Sequence, residues 1–173
     1  VIRAAIAACL ALALAACAGG PAPKTAAAPA HPEARSYAVT PDAMADVDAA
    51  LARAAASGKR VLLVMGANWC HDSRALAGWL ETPRFTALVA ERYELVFVNV
   101  GMPQSGDGHN LDIARRFGLA DFPGTPALLV LTGDGKLVNP DTAASWRNAG
   151  TRSEDAILAE LTALAGPAVS DAG

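Results

Sequence analysis

From Tyr37 onward the chain alternates between amphipathic stretches and uninterrupted apolar ones. Met44, Val47, Leu51 and Ala55 recur at helical spacing. Thr40-Pro41-Asp42 supplies a capping hydroxyl, a proline for the first turn and an acid suited to the helix dipole. Ser57-Gly58 closes that helix. Val61–Met65 is continuously apolar and predicts a strand buried on both faces. A helix is expected from about Cys70 to Leu80, interrupted at Thr82-Pro83 and resumed over Arg84–Arg92. Leu95–Val100 predicts a second buried strand, Met102–His109 a loop, and Asn110 the cap of a short helix Leu111–Phe117. Ala127–Leu131 predicts a third strand, which Gly133-Asp134-Gly135 turns into Lys136–Val138 as a hairpin. Ser153 with Asp155 opens a last helix carrying Ile157, Leu158, Leu161 and Leu164. With Ser36–Val39 as a short first strand, the order is (β)αβαβαββα. That alternation implies an α/β domain: a mainly parallel central sheet, made mixed by the closing hairpin, with helices on both faces.

The first 36 residues follow a different pattern. Residues 2–16 hold one charge, Arg3, and then a short apolar core of small residues. This is the layout of a secretory signal, too short for a membrane span. Leu14-Ala15-Ala16-Cys17 resembles the bacterial lipobox, in which the cysteine is lipidated and becomes the first mature residue. Residues 1–16 are therefore expected to be a lipoprotein signal peptide and Cys17 the lipidation site. Residues 18–36 contain four prolines, two glycines and no branched aliphatic residue or aromatic ring besides the imidazole of His31. Residues 17–36 are thus expected to form an Ala/Pro-rich tether, residues 37–167 the folded domain and residues 168–173 a tail. This places the protein in the bacterial cell envelope, lipid-anchored and facing the periplasm. Ala18 after the cysteine points to the outer membrane. Cleavage elsewhere would leave a soluble periplasmic protein. His31 is read as having no partner ligand near it, so no metal role is expected for it.

Composition narrows the options. The 173 residues carry 14 Lys+Arg and 17 Asp+Glu, a net charge of −3 that gives no electrostatic footprint for nucleic acid. The 53% apolar content is inflated by 41 alanines and does not imply a membrane protein. Cys9, Cys17 and Cys70 are spaced too widely for a disulfide framework or a cysteine-rich zinc module. Gly106-Asp107-Gly108-His109 offers too few ligands for a metal loop. No metal and no cofactor are expected.

The chemistry concentrates in Gly66-Ala67-Asn68-Trp69-Cys70-His71-Asp72-Ser73-Arg74, which follows a buried strand and opens a helix. A cysteine at a helix N-terminus faces unpaired N–H groups and the positive end of the dipole, and both favour thiolate over thiol. Cys70 thus has a physical reason to be nucleophilic. Trp69-Cys70-x-x-Ser73 after Val61–Gly66 resembles the thioredoxin active-site segment Trp-Cys-x-x-Cys. Thr125-Pro126 before Ala127–Leu131 resembles the thioredoxin cis-proline loop, and Phe117-Gly118-Leu119 precedes it much as a similar triplet does in that family. The likeness spans about residues 41–165. It implies the three-layer thioredoxin-like fold, with Trp69 as a hydrophobic wall beside the thiol. It also implies a loop at Thr125-Pro126 that offers an edge to extended peptides. Ser73 is expected to donate a hydrogen bond to the Cys70 thiolate, and His71 to shuttle protons or raise the thiolate content.

The departures from the family pattern are chemically specific. Ser73 stands where the second cysteine would be, Val64 where a buried aspartate would be, and His71-Asp72 where the motif commonly has a proline. With Cys9 removed and Cys17 lipidated, Cys70 would be the sole thiol. It could form a mixed disulfide but not an internal one, so resolution would need a second thiol from elsewhere. The expected partners are protein or small-molecule thiols and disulfides. The alternative is a redox-silent binding or chaperone-like module that uses the groove between Trp69 and Pro126.

Overall fold

The computed structural model describes residues 31–166. The expected signal peptide, the lipidation site Cys17, most of the expected tether and the tail from 168 lie outside the described residues.

The first helix, α1 (Ala43–Ser57), begins at Asp42, whose carboxylate accepts from the Ala45 amide at 2.9 Å. The cap is thus the acid and not the Thr40 hydroxyl, because Pro41 lies outside the first turn. The strand β1 (Arg60–Gly66) follows and is buried almost throughout. The helices α2 (His71–Leu80) and α3 (Pro83–Arg92) are separated at Thr82-Pro83, with Pro83 entering the first turn of α3. The strand β2 (Tyr93–Asn99) leads into a small hairpin, β3 (Gly101–Met102) and β4 (Asp107–Gly108), where a loop was expected. Beyond it, α4 (Leu111–Arg116) and β5 (Ala127–Leu131) precede a 3-10 turn at Ala149–Thr151 and α5 (Glu154–Leu164). Ser153 caps α5 as expected, accepting from the Ala156 amide at 3.2 Å.

The main sheet has the order β2-β1-β5, with β2 parallel and β5 antiparallel to β1. Successive β1 side chains alternate between two cores. Val61, Leu63 and Met65 pack with Val47, Ala50 and Ala54 of α1 and Ile113 of α4. Leu62 and Val64 pack with Leu76 and Leu80 of α2, Phe85 of α3, Trp146, and Ile157 and Leu161 of α5. This is a three-layer α/β fold with a mixed central sheet.

Two expected strands take other forms. Lys136–Val138 contributes a single bridge, Leu137 to Leu131. Asn139 takes over the rest of that edge: its side chain accepts from the Val130 amide at 2.8 Å and donates to the Leu128 carbonyl at 2.9 Å. A side-chain amide here imitates a strand backbone and covers the sheet edge. Ser36–Val39 forms no strand. Its Tyr37 backbone instead pairs with the Asn68 side-chain amide, accepting at 3.0 Å and donating at 3.2 Å.

The end of the expected tether is also part of the folded unit. His31–Ser36 runs across α2, with the Ala34 amide donating to the Arg74 carbonyl at 3.0 Å. Glu33 pairs with Arg74 at 2.8 Å. A Cβ placed on Gly78 would lie 2.4 Å from the Pro32 carbonyl. Ion pairing, a backbone hydrogen bond and the bare helix surface at Gly78 hold the strap, with Ala34 packed on the core.

Candidate active site at the start of the second helix

Cys70 is the N-cap of α2, with extended backbone (φ −79°, ψ 124°). It stands at the junction that the end of β1 makes with the helix, so the first N–H groups of α2 gather around it. Opposite lies the turn before β5, where the Thr125-Pro126 peptide is cis. The Cys70 thiol donates to the Thr125 carbonyl across 3.4 Å. The two segments that the sequence singled out, 55 residues apart in the chain, therefore meet at one sulfur.

Burial separates the two motif positions. Ser73 has no exposure, whereas Cys70, also buried, keeps 9%, so of the two Cys70 lies nearer the surface. The Ser73 hydroxyl makes no hydrogen bond to Cys70. It accepts from the Ala67 amide at 3.4 Å, while the Ser73 carbonyl accepts from the Tyr37 hydroxyl at 3.2 Å. A buried hydroxyl satisfies the nearest unpaired backbone donor first, which turns Ser73 inward. Its role is to brace the loop below the cysteine. Burial pushes the Tyr37 hydroxyl far above the ordinary tyrosine range, so it stays protonated as a donor.

Trp69 forms the outer wall. It is 45% exposed, and its indole N–H donates to the Gly101 carbonyl at 2.8 Å. That bond ties the β3–β4 hairpin to the cysteine loop. The hairpin is a site element that the sequence did not reveal: its strands are two residues each, too short for a periodic signal. Asn99 extends the network, donating to the Tyr37 carbonyl at 3.0 Å and accepting from the Gly101 amide at 2.8 Å.

The remaining polar residues of the motif serve the surroundings of the thiol. His71 faces Glu33 (Nε2 to Oε1, 3.6 Å) and makes an edge-on ring contact with His31, centroids 4.8 Å apart. Among the described residues it forms no hydrogen bond to Cys70, so the proton-shuttle expectation has no direct path in this geometry. Asp72 accepts from the Gly150 amide at 2.8 Å and fixes the turn before α5. Arg74 donates to the carbonyls of Asn68 and Trp69 at 3.2 and 3.0 Å, clamping the loop that presents Cys70. Val64 is fully buried in the central strand, with aliphatic and aromatic neighbours. Cys70 is the free cysteine of the described residues.

A lone cysteine at the N-terminus of a helix, after a buried strand and against a cis-proline turn on a three-layer α/β core, defines a thioredoxin-class site. A family model described as thioredoxin-like matches residues 42–133, and the chain belongs to that family. Among solved structures, the disulphide isomerase from Xylella fastidiosa Temecula1 is similar, with a TM-score of 0.68 and 34% sequence identity. That match covers 76% of this chain and 97% of the other. Among curated proteins none matches.

Proposed function

We propose that the protein is a single-thiol member of its family that engages protein or small-molecule disulfides through Cys70. The observation carrying this reading is the placement of Cys70, largely buried with 9% of the residue exposed, at a helix N-terminus and against the Thr125 carbonyl. The similarity to a disulphide isomerase supports the same class of chemistry. The Cys70 thiolate attacks one sulfur of a substrate disulfide. A new S–S bond forms, the old one breaks, and the second substrate sulfur leaves as thiolate. A second thiolate, from the substrate or a small thiol, then attacks the mixed disulfide and restores the Cys70 thiolate. When both thiols belong to one substrate the net result is isomerisation, with no change in oxidation state. Trp69 and the Thr125-Pro126 turn frame the sulfur for an extended peptide.

The Leu14-Ala15-Ala16-Cys17 motif supports an envelope location with lipid on Cys17, which would hold this chemistry at a membrane surface facing the periplasm. Intact mass after detergent extraction checks it: acyl chains on a mature chain beginning at Cys17 are expected, and an unmodified Cys17 overturns the anchor.

The test of the chemistry is capture. Acid-quenched envelope preparations should contain thiol-sensitive adducts that vanish in Cys70→Ser. Adducts that persist in that variant, or none at all, would overturn the reading. The absence of a thiol at Ser73 favours a redox-silent binding module as the second reading. In that case alkylated protein would retain its partners unchanged.

A further inference from the structure

We propose that His31, Glu33 and His71 form a binding site for a borderline divalent cation, Zn²⁺ by chemical class, which fastens the strap His31–Ser36 to α2 beside Cys70. One donor atom from each of the three residues lies within 4.8 Å of the others. His31 sits in the strap and His71 at the start of α2, so the fold joins ligands that are 40 residues apart.

Each donor is set up by a neighbour. His31 is buried, and its Nδ1 lies 3.2 Å from the Pro32 carbonyl, which orients the ring and leaves Nε2 as the free nitrogen. Such a backbone partner on the second nitrogen is what ligating histidines ordinarily have. Arg74 holds Glu33 Oε2 at 2.8 Å, leaving Oε1 toward His71 at 3.6 Å.

A tetrahedral ion with bonds of ~2.0–2.2 Å needs its donors roughly 3.3–3.5 Å apart. The Glu33–His71 pair is almost there, and with every donor pair within 4.8 Å the site closes by small side-chain adjustments, the His71 side chain being 57% exposed. Two imidazoles and one carboxylate select Zn²⁺, Cu²⁺ or Ni²⁺ over the oxygen-seeking Ca²⁺ and Mg²⁺. Because Arg74 occupies the second oxygen, Glu33 binds through one atom and a coordination position stays open to water.

The test is calorimetric titration of Zn²⁺ into the full chain carrying C9S, C17S and C70S, so that no thiol competes. One ion per chain is expected, with affinity falling at least about tenfold in His71→Ala and in His31→Ala. His109→Ala, which removes the chain's third histidine, should leave it unchanged. If His31→Ala loses its fold by circular dichroism, the exposed His71→Ala variant decides alone. No binding, binding indifferent to His71→Ala, or equal loss in His109→Ala would overturn the proposal.

Discussion

The two positions of the Cys-x-x-Ser motif differ in depth and in what they touch. Cys70, buried but for 9% of its surface, meets Thr125, while Ser73 is fully sealed against Ala67 and Tyr37. The sequence placed both residues at the start of one helix, and the structure agrees. It did not show which backbone donor the serine would satisfy, because that depends on the path of a loop closed by Tyr37, more than 30 residues away. The same crowding makes Gly66 a demanding position. A Cβ there would stand 2.7 Å from both the Ser73 hydroxyl and the Tyr37 ring. Gly66→Ala is expected to cost about 1–3 kcal/mol through overpacking, read as a lower urea midpoint with an unchanged slope. Ser73→Cys should restore the family's pair. With Cys70 one turn away and extended at the cap, oxidant is expected to remove two hydrogens from the intact mass. Two free thiols after oxidation would count against this placement of the side chains.

At the level of elements, what could be read from the chain was whatever pattern and punctuation determine locally. The apolar run of β1, the break at Thr82-Pro83 and the Ser153 cap are such features. What could not be read was pairing made by side chains standing in for backbone. Asn139 completes the edge of β5, and Asn68 holds Tyr37, and neither has a periodic signature. Asn139→Ala should therefore be far more damaging than its loop position suggests. It leaves the Val130 amide and the Leu128 carbonyl without their partner, at about 1–3 kcal/mol each if water does not reach them. Equilibrium unfolding checks this, and a loss under ~0.5 kcal/mol would show that the edge does not depend on the amide. The strap belongs to the same category. Its composition reads as tether, yet ion pairing and the bare surface at Gly78 dock it on α2.

For the whole molecule, the strap is the point where any preceding chain joins the domain, packed against the helix that Cys70 caps. Part of its hold is the Glu33–Arg74 ion pair, and that part responds to pH. The groups facing Glu33 are Arg74, His71 and His31. Hydrogen bonding from Arg74, with the charges around it, lowers the Glu33 pKa in the fold. A lowered carboxyl contributes stability that is fully present above its unfolded value and is lost as pH falls through the folded one. Release is therefore expected only in the acid range where Glu33 itself takes a proton. The Ala34 amide, bonded to the Arg74 carbonyl, is the reporter. Its NMR shift should move to a coil value in acid ahead of amides in β1, whose pairing with β2 and β5 involves no ionised group. Glu33→Gln should abolish the separate acid step, because the amide keeps the shape of the side chain without its charge. An Ala34 transition that coincides with global unfolding, or one that survives Glu33→Gln, would mean that Gly78 packing and the backbone bond hold the strap and that charge contributes nothing measurable.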